Sequence, residues 1–94
     1  LKEISDMQFR KKPVVIEAWR VPTSPGLTDS VPPTWLIGAL LRHEVITHPA
    51  GQISIPTPEG VMVANRGDWI IRDVKGELYP CKNDIFEATY EALT

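Results

Sequence analysis

Cysteine is almost absent from this sequence. Cys81 is the only thiol among 94 residues, which excludes an internal disulfide and any zinc site built on two or more thiolates. Long apolar runs are missing as well. No stretch approaches the roughly 18 apolar residues that a helical membrane span requires, and the start lacks the apolar run of a secretory signal. Neither sign of charge dominates: 10 lysines and arginines face 12 aspartates and glutamates, a net charge of -2. Broad nonspecific binding of nucleic acid needs a basic footprint that displaces counterions, and this balance supplies none. The six glycines are dispersed, so no phosphate-cradling loop exists. His43 and His48 stand five residues apart with only Glu44 nearby, which does not complete a metal set. The expectation is an intracellular domain without metal or cofactor.

What is present is ordinary globular material, 43% hydrophobic and 23% charged. The length suits one domain, with residues 1–12 as a polar lead-in and 13–94 as the folded unit. Residues 1–6 precede Met7, an alternative start, and read as an upstream remnant. The Arg10-Lys11-Lys12 triplet has no aromatic interleaving and reads as a solvated flank. Trp19, Trp35 and Trp69 supply the large rings that a small core needs. With no disulfide to add stability, self-association is the natural way to bury more apolar area, so a homo-oligomer is expected.

Between Pro13 and Pro22, Val14, Val15, Ile16, Ala18, Trp19 and Val21 form a β-branched run that suits a strand. Residues 23–30 are loop by turn chemistry. Pro32 and Pro33 then open a helix that Ser30 is placed to cap, with Trp35, Leu36, Ala39, Leu40 and His43 on one face and Ile37 and Leu41 widening it, so this helix is expected to be buried. From Val45 onward short apolar runs alternate with Pro/Gly turns at intervals of eight to ten residues, which is a meander and not a βαβ repeat. Asn83 or Asp84 opens a last helix running to Leu93, with Ile85, Phe86, Thr89, Tyr90 and Leu93 on one face. The fold class is therefore α+β: a small antiparallel β-meander sheet packed with one buried helix and a short C-terminal helix.

Catalytic chemistry finds no footing. Lys82 and a helix start beside Cys81 are features that lower a thiol pKa, yet no base is positioned by sequence, and a small buried hydrophobe is the preferred reading of Cys81. The carboxylates show no spacing that singles out an acid–base pair. The protein is expected not to be an enzyme. One cluster stands out: Trp69, Arg72, Lys75, Tyr79 and Lys82 place aromatics and cations within two short strands. Aromatic stacking beside Arg or Lys suits a flat anionic ligand such as a nucleotide, or a partner hot spot. Strand alternation separates Trp69 from Arg72, so the competing reading is a set of core aromatics rimmed by a solvated charged face.

The segments Gly67-Asp68-Trp69-Ile70-Ile71-Arg72, Lys75-Gly76-Glu77-Leu78-Tyr79-Pro80-Cys81-Lys82 and Asp84-Ile85-Phe86-Glu87-Ala88-Thr89-Tyr90-Glu91 form a characteristic C-terminal motif. With Lys11-Lys12-Pro13-Val14-Val15-Ile16-Glu17-Ala18-Trp19 and Thr57-Pro58-Glu59-Gly60-Val61-Met62, it resembles a family of small, mostly uncharacterised bacteriophage and prophage proteins. Two departures stand out: Asp73 replaces a usual glycine and Asn83 a usual proline. The resemblance implies no reaction, cofactor or catalytic residue. It implies an accessory protein in the cytoplasm of a bacterial host, with counter-defence as the expected role. The leading expectation is a non-enzymatic, oligomeric binding protein that sequesters a nucleotide-like immune signal, stacking it on Trp69 or Tyr79 and holding phosphates with Arg72, Lys75 or Lys82. The alternatives are a protein–protein inhibitor of a host defence complex, such as a CRISPR nuclease, and a virion or DNA-packaging accessory.

Overall fold

The computed structural model describes residues 7–10, 12–24 and 31–93. The remnant at 1–6, Lys11, the loop at 25–30 with Ser30 as expected cap, and Thr94 lie outside the described residues. The elements run β1 (Glu17–Arg20), α1 (Thr34–Leu41), β2 (Ile46–Thr47), β3 (Ile53–Thr57), β4 (Gly60–Ala64), β5 (Trp69–Arg72), β6 (Leu78–Cys81) and α2 (Asn83–Thr89). The fold is α+β, as expected.

The strands divide between two antiparallel sheets and do not form one meander: β1-β5-β6 makes one and β2-β3-β4 the other. Both later hairpins follow their turn chemistry. Pro58 and Glu59 connect β3 to β4 between the paired Thr57 and Gly60. The β5–β6 turn is organised by Asp73, whose Oδ1 accepts from the backbone N–H groups of Lys75 and Glu77, both at 2.9 Å, while Gly76 takes a positive φ of 84°. That carboxylate gives the turn at position 73 a cap that glycine does not provide.

β1 is shorter than the apolar run suggested. Residues 12–15 are exposed and outside any strand, and the ladder begins only at Glu17, opposite Arg72. The reason is the length of its partner: β5 offers four residues, and after Arg72 it gives way to the Asp73–Gly76 turn.

α1 starts at Thr34, two residues later than the Pro32 start expected from the sequence. Pro33 is the N-cap, and its carbonyl accepts from Leu36 and Ile37 at 3.0 Å. At the other end, Glu44 N–H reaches Ala39 O and His43 N–H reaches Leu40 O, a Schellman closure that puts His43 in the left-handed region at φ 59°. Only Leu36 and Ala39 of this helix are buried, and Leu41 is 75% exposed. The helix is thus not enclosed: it buries one side and leaves apolar Ile37 and Leu41 exposed on the other.

The core lies between the sheets: Val21, Leu36, Ala39, Val45, Ile53, Ile55, Ala64 and Ile70 form one cluster, with Trp19, Trp35, Leu40 and Leu78 packed against it. Arg66 ties the sheet ends together, donating from Nε to Ala50 O at 2.7 Å and from Nη1 to Pro22 O at 3.4 Å. No described helix is long and apolar enough to cross a membrane.

Candidate functional site

Pairing register decides which side of the first sheet each candidate residue occupies. Residues directly opposite in an antiparallel ladder share a face, and alternate residues share it along a strand. Arg20, Trp69 and Cys81 therefore form one row, with Ala18, Ile71 and Tyr79 behind it on the same face. Glu17, Arg72 and Leu78, then Trp19, Ile70 and Pro80, occupy the other face, which meets the core. Ile70 and Ile71 are both buried, so this sheet is covered on its two sides.

The cover on the Trp69 side is α2. This helix has seven residues, no side-chain cap and no buried residue of its own, so its aromatic contacts hold it in place. The ring of Phe86 stacks on Trp69 with centroids 4.0 Å apart and planes 8° from parallel. Trp69 Nε1–H donates to Asn83 Oδ1 at 2.9 Å, and the Asn83 amide donates in turn to Glu87 Oε1 at 3.2 Å. Tyr90, in extended conformation just past the helix, tilts against Phe86 at 5.1 Å. The helix ends at Thr89, earlier than the expected Leu93, and Ile85 and Leu93 stay exposed.

Beside this stack runs an open groove of about 720 Å³. Its walls are Val14, Val15 and Ala18 on one side and Trp69, Phe86 and Tyr90 on the other, with Lys12 and Glu91 contributing opposite charges. Partial burial and a hydrogen bond to Tyr90 push the Tyr79 phenol up to about 12. The Cys81 thiol is also pushed up, first by burial and then by Asp68 and Asp84. Lys82 and the adjacent helix start do not lower it, and Cys81 is half-buried. A second hollow of about 450 Å³ lies at the far end of the molecule's β5–β6 turn, between Glu44, Ile55, Pro58 and Glu77, and carries carboxylates without a cation.

The five cluster residues divide accordingly. Trp69 and Tyr79 share the groove-side face. Arg72 stands on the opposite face, donating to Glu17 at 2.8 Å in an exposed ion pair. Lys75 sits in the β5–β6 turn, at the other end of the hairpin from Trp69. Lys82 is the N-cap residue of α2, immediately after Cys81 in the Trp69 row. Three residues of the site escaped the sequence argument. Asn83 is one, although an indole N–H that is partly buried needs an acceptor and Asn83 is a nearby candidate. Phe86 and Tyr90 were visible as a helix face, but not as groove walls. Among the described residues no group of three or more His, Cys, Asp or Glu side chains is placed to hold a metal.

Fold and groove together define a small α+β domain with an aromatic-walled groove. The chain matches no protein-family model, no curated protein and no solved structure.

Proposed function

We propose that the protein is a non-enzymatic binding module that takes a flat, nucleotide-like ligand into the groove beside Trp69, Phe86 and Tyr90, acting as a phage accessory that withdraws a host immune signal. The observation that carries this reading is the groove itself: an open volume of about 720 Å³ walled by aromatic rings, with a lysine at its rim. One face of Trp69 is already stacked on Phe86, so the exposed ring faces left to a ligand are those of Tyr90 and the outer side of the stack. Lys12 is the groove's own cation, and Lys82 is the N-cap residue of α2. Arg72 is held by Glu17 across the sheet. Capture by mass action needs affinity and copy number and no catalytic group.

The test is native mass spectrometry of the protein purified from bacteria with an active nucleotide-signalling defence, followed by titration calorimetry with a panel of cyclic di- and trinucleotides. A retained mass of one nucleotide ligand per groove, lost in Tyr90→Ala and weakened in Lys12→Ala, is the expected result. A groove that stays empty across the panel, together with recovery of a stoichiometric host defence protein, overturns the sponge in favour of the protein inhibitor.

A further inference from the structure

The two sheets leave four outer edges, and three of them are guarded against pairing. β1 carries Glu17 and Arg20, β2 is two residues long, and β6 has Pro80 in mid-strand, where the open edge loses an N–H. β4 is different. Gly60-Val61-Met62-Val63-Ala64 has no charge and no proline, its ladder with β3 has no bulge, and Val61 is 70% exposed. Pro56 has no N–H, so its pairing with Val61 is a non-hydrogen-bonded one, and the same holds two residues on for Ser54 and Val63. The N–H and C=O groups of Val61 and Val63 therefore point away from β3, into the open edge. Among the described residues nothing bonds to them.

The sequence around Met62 reads the same in both directions, Val61-Met62-Val63. A two-fold axis through Met62 sets Val61 opposite Val63 of a second copy, and Val63 opposite its Val61, closing four backbone hydrogen bonds. We propose that β4 is the seam of a two-fold homodimer, in which two β2-β3-β4 sheets join into one six-stranded antiparallel sheet. The side chains agree with this axis. Val61 and Val63 share the outer face with Pro56, Ser54 and Ile46, and Val61 and Val63 are 70% and 45% exposed, so the joined sheet sets Pro56, Val61 and Val63 of the second copy in one apolar row that Ser54 bounds. A second copy is favoured over a foreign strand because the edge is self-complementary, which an isologous contact requires and a heterologous one does not. Two five-residue strands cover less than the roughly 800 Å² per partner of a standard interface. The dimer is accordingly a weak one, governed by concentration. It lies on the sheet that does not carry the groove and does not depend on the ligand reading.

The test is sedimentation velocity of the whole chain from low micromolar to several hundred micromolar, with circular dichroism to confirm that each variant is folded. The wild type is expected to pass from one to two chain masses. V61K/V63K sets lysine against lysine at both positions of the seam and is expected to remain monomeric. V61K/V63E sets lysine against glutamate under the proposed axis and is expected to dimerise again, more weakly at high salt. A wild type that stays monomeric throughout, or a dimer that V61K/V63K leaves intact, overturns the proposal. Loss of the dimer in V61K/V63E to the same degree as in V61K/V63K overturns the Met62 axis.

Discussion

Replacing Phe86 with alanine isolates what holds α2 against the sheet. The helix is only seven residues long and buries none of them, so by itself it is far below the length at which helices persist in water. Its attachment is the Phe86–Trp69 stack at 4.0 Å, the Tyr90 contact at 5.1 Å and the Trp69–Asn83 hydrogen bond. A fully buried Phe→Ala change costs about 3–5 kcal/mol. Phe86 is half-buried, so roughly half of that applies, and the stacking geometry accounts for about 0.5–1.5 kcal/mol of it. The main core lies on the other face of the sheet and keeps its contacts. F86A is therefore expected to release α2 at temperatures where the sheets remain folded, and to lower the melting midpoint by about 4–8 °C for each kcal/mol that is shared with the rest of the domain. Proton–nitrogen spectra read this directly, because three tryptophans give three indole N–H signals and Trp69 alone is tied to Asn83. In F86A that signal is expected to move and to exchange quickly with water, while the signals of Trp19 and Trp35 stay in place. An unmoved Trp69 resonance with a melting midpoint within 2 °C of wild type (below about 0.5 kcal/mol) refutes the account.

Four further outcomes follow from local geometry. His43 occupies a left-handed position that costs an L-residue roughly 1–2 kcal/mol, so His43→Gly is expected to raise the melting temperature despite the extra unfolded-state entropy of glycine. At Gly51, φ is 94° and a Cβ would collide with the Arg66 guanidinium; Gly51→Ala is expected to destabilise by about 1–2 kcal/mol, read by urea melts. Burial pushes the Tyr79 phenol up to about 12, so its contribution is complete at neutral pH and is lost as pH rises through about 12; absorbance titration is expected to show a late phenol phase, and Tyr79→Phe to remove it. Arg72→Ala breaks a pair whose side chains are 42% and 57% exposed, so thermal melts are expected to place its cost at no more than about 1 kcal/mol.

The turns and hairpins were legible in the sequence because their causes are local. Pro58-Glu59-Gly60 and Asp73 with Gly76 fix their own geometry from residues that are neighbours in the chain. The helix signals were legible for the same reason, though the ends moved: α1 waits for Pro33 to cap it, and α2 stops once Tyr90 turns extended to meet Phe86. Hidden from a single sequence was the pairing of β1 with β5, which joins residues some fifty positions apart and splits the expected meander into two sheets. Equally hidden was the face of each candidate. Alternation separated Trp69 from Arg72, but Ile70 and Ile71 are equally apolar, so the residues could not say which side meets the core.

That ambiguity has a physical origin which also shapes the site. A sheet with one wet face declares its orientation through polar alternation; β5 reads Trp-Ile-Ile-Arg because both its faces are covered. One cover is the main core, and it is made by residues from throughout the chain. The other is a seven-residue helix fastened by one ring stack and one amide, with the exposed segment of residues 12–15 lining the same groove. The first face can supply stability while the second remains easily opened, because a helix that buries nothing of its own costs little to shift. A ligand that stacks on Tyr90 or displaces Phe86 from Trp69 then exchanges one aromatic contact for another, instead of disrupting the core. On the proposed reading, binding at this face is separated from folding, and substitutions at Phe86 or Asn83 are the ones on which the two meet.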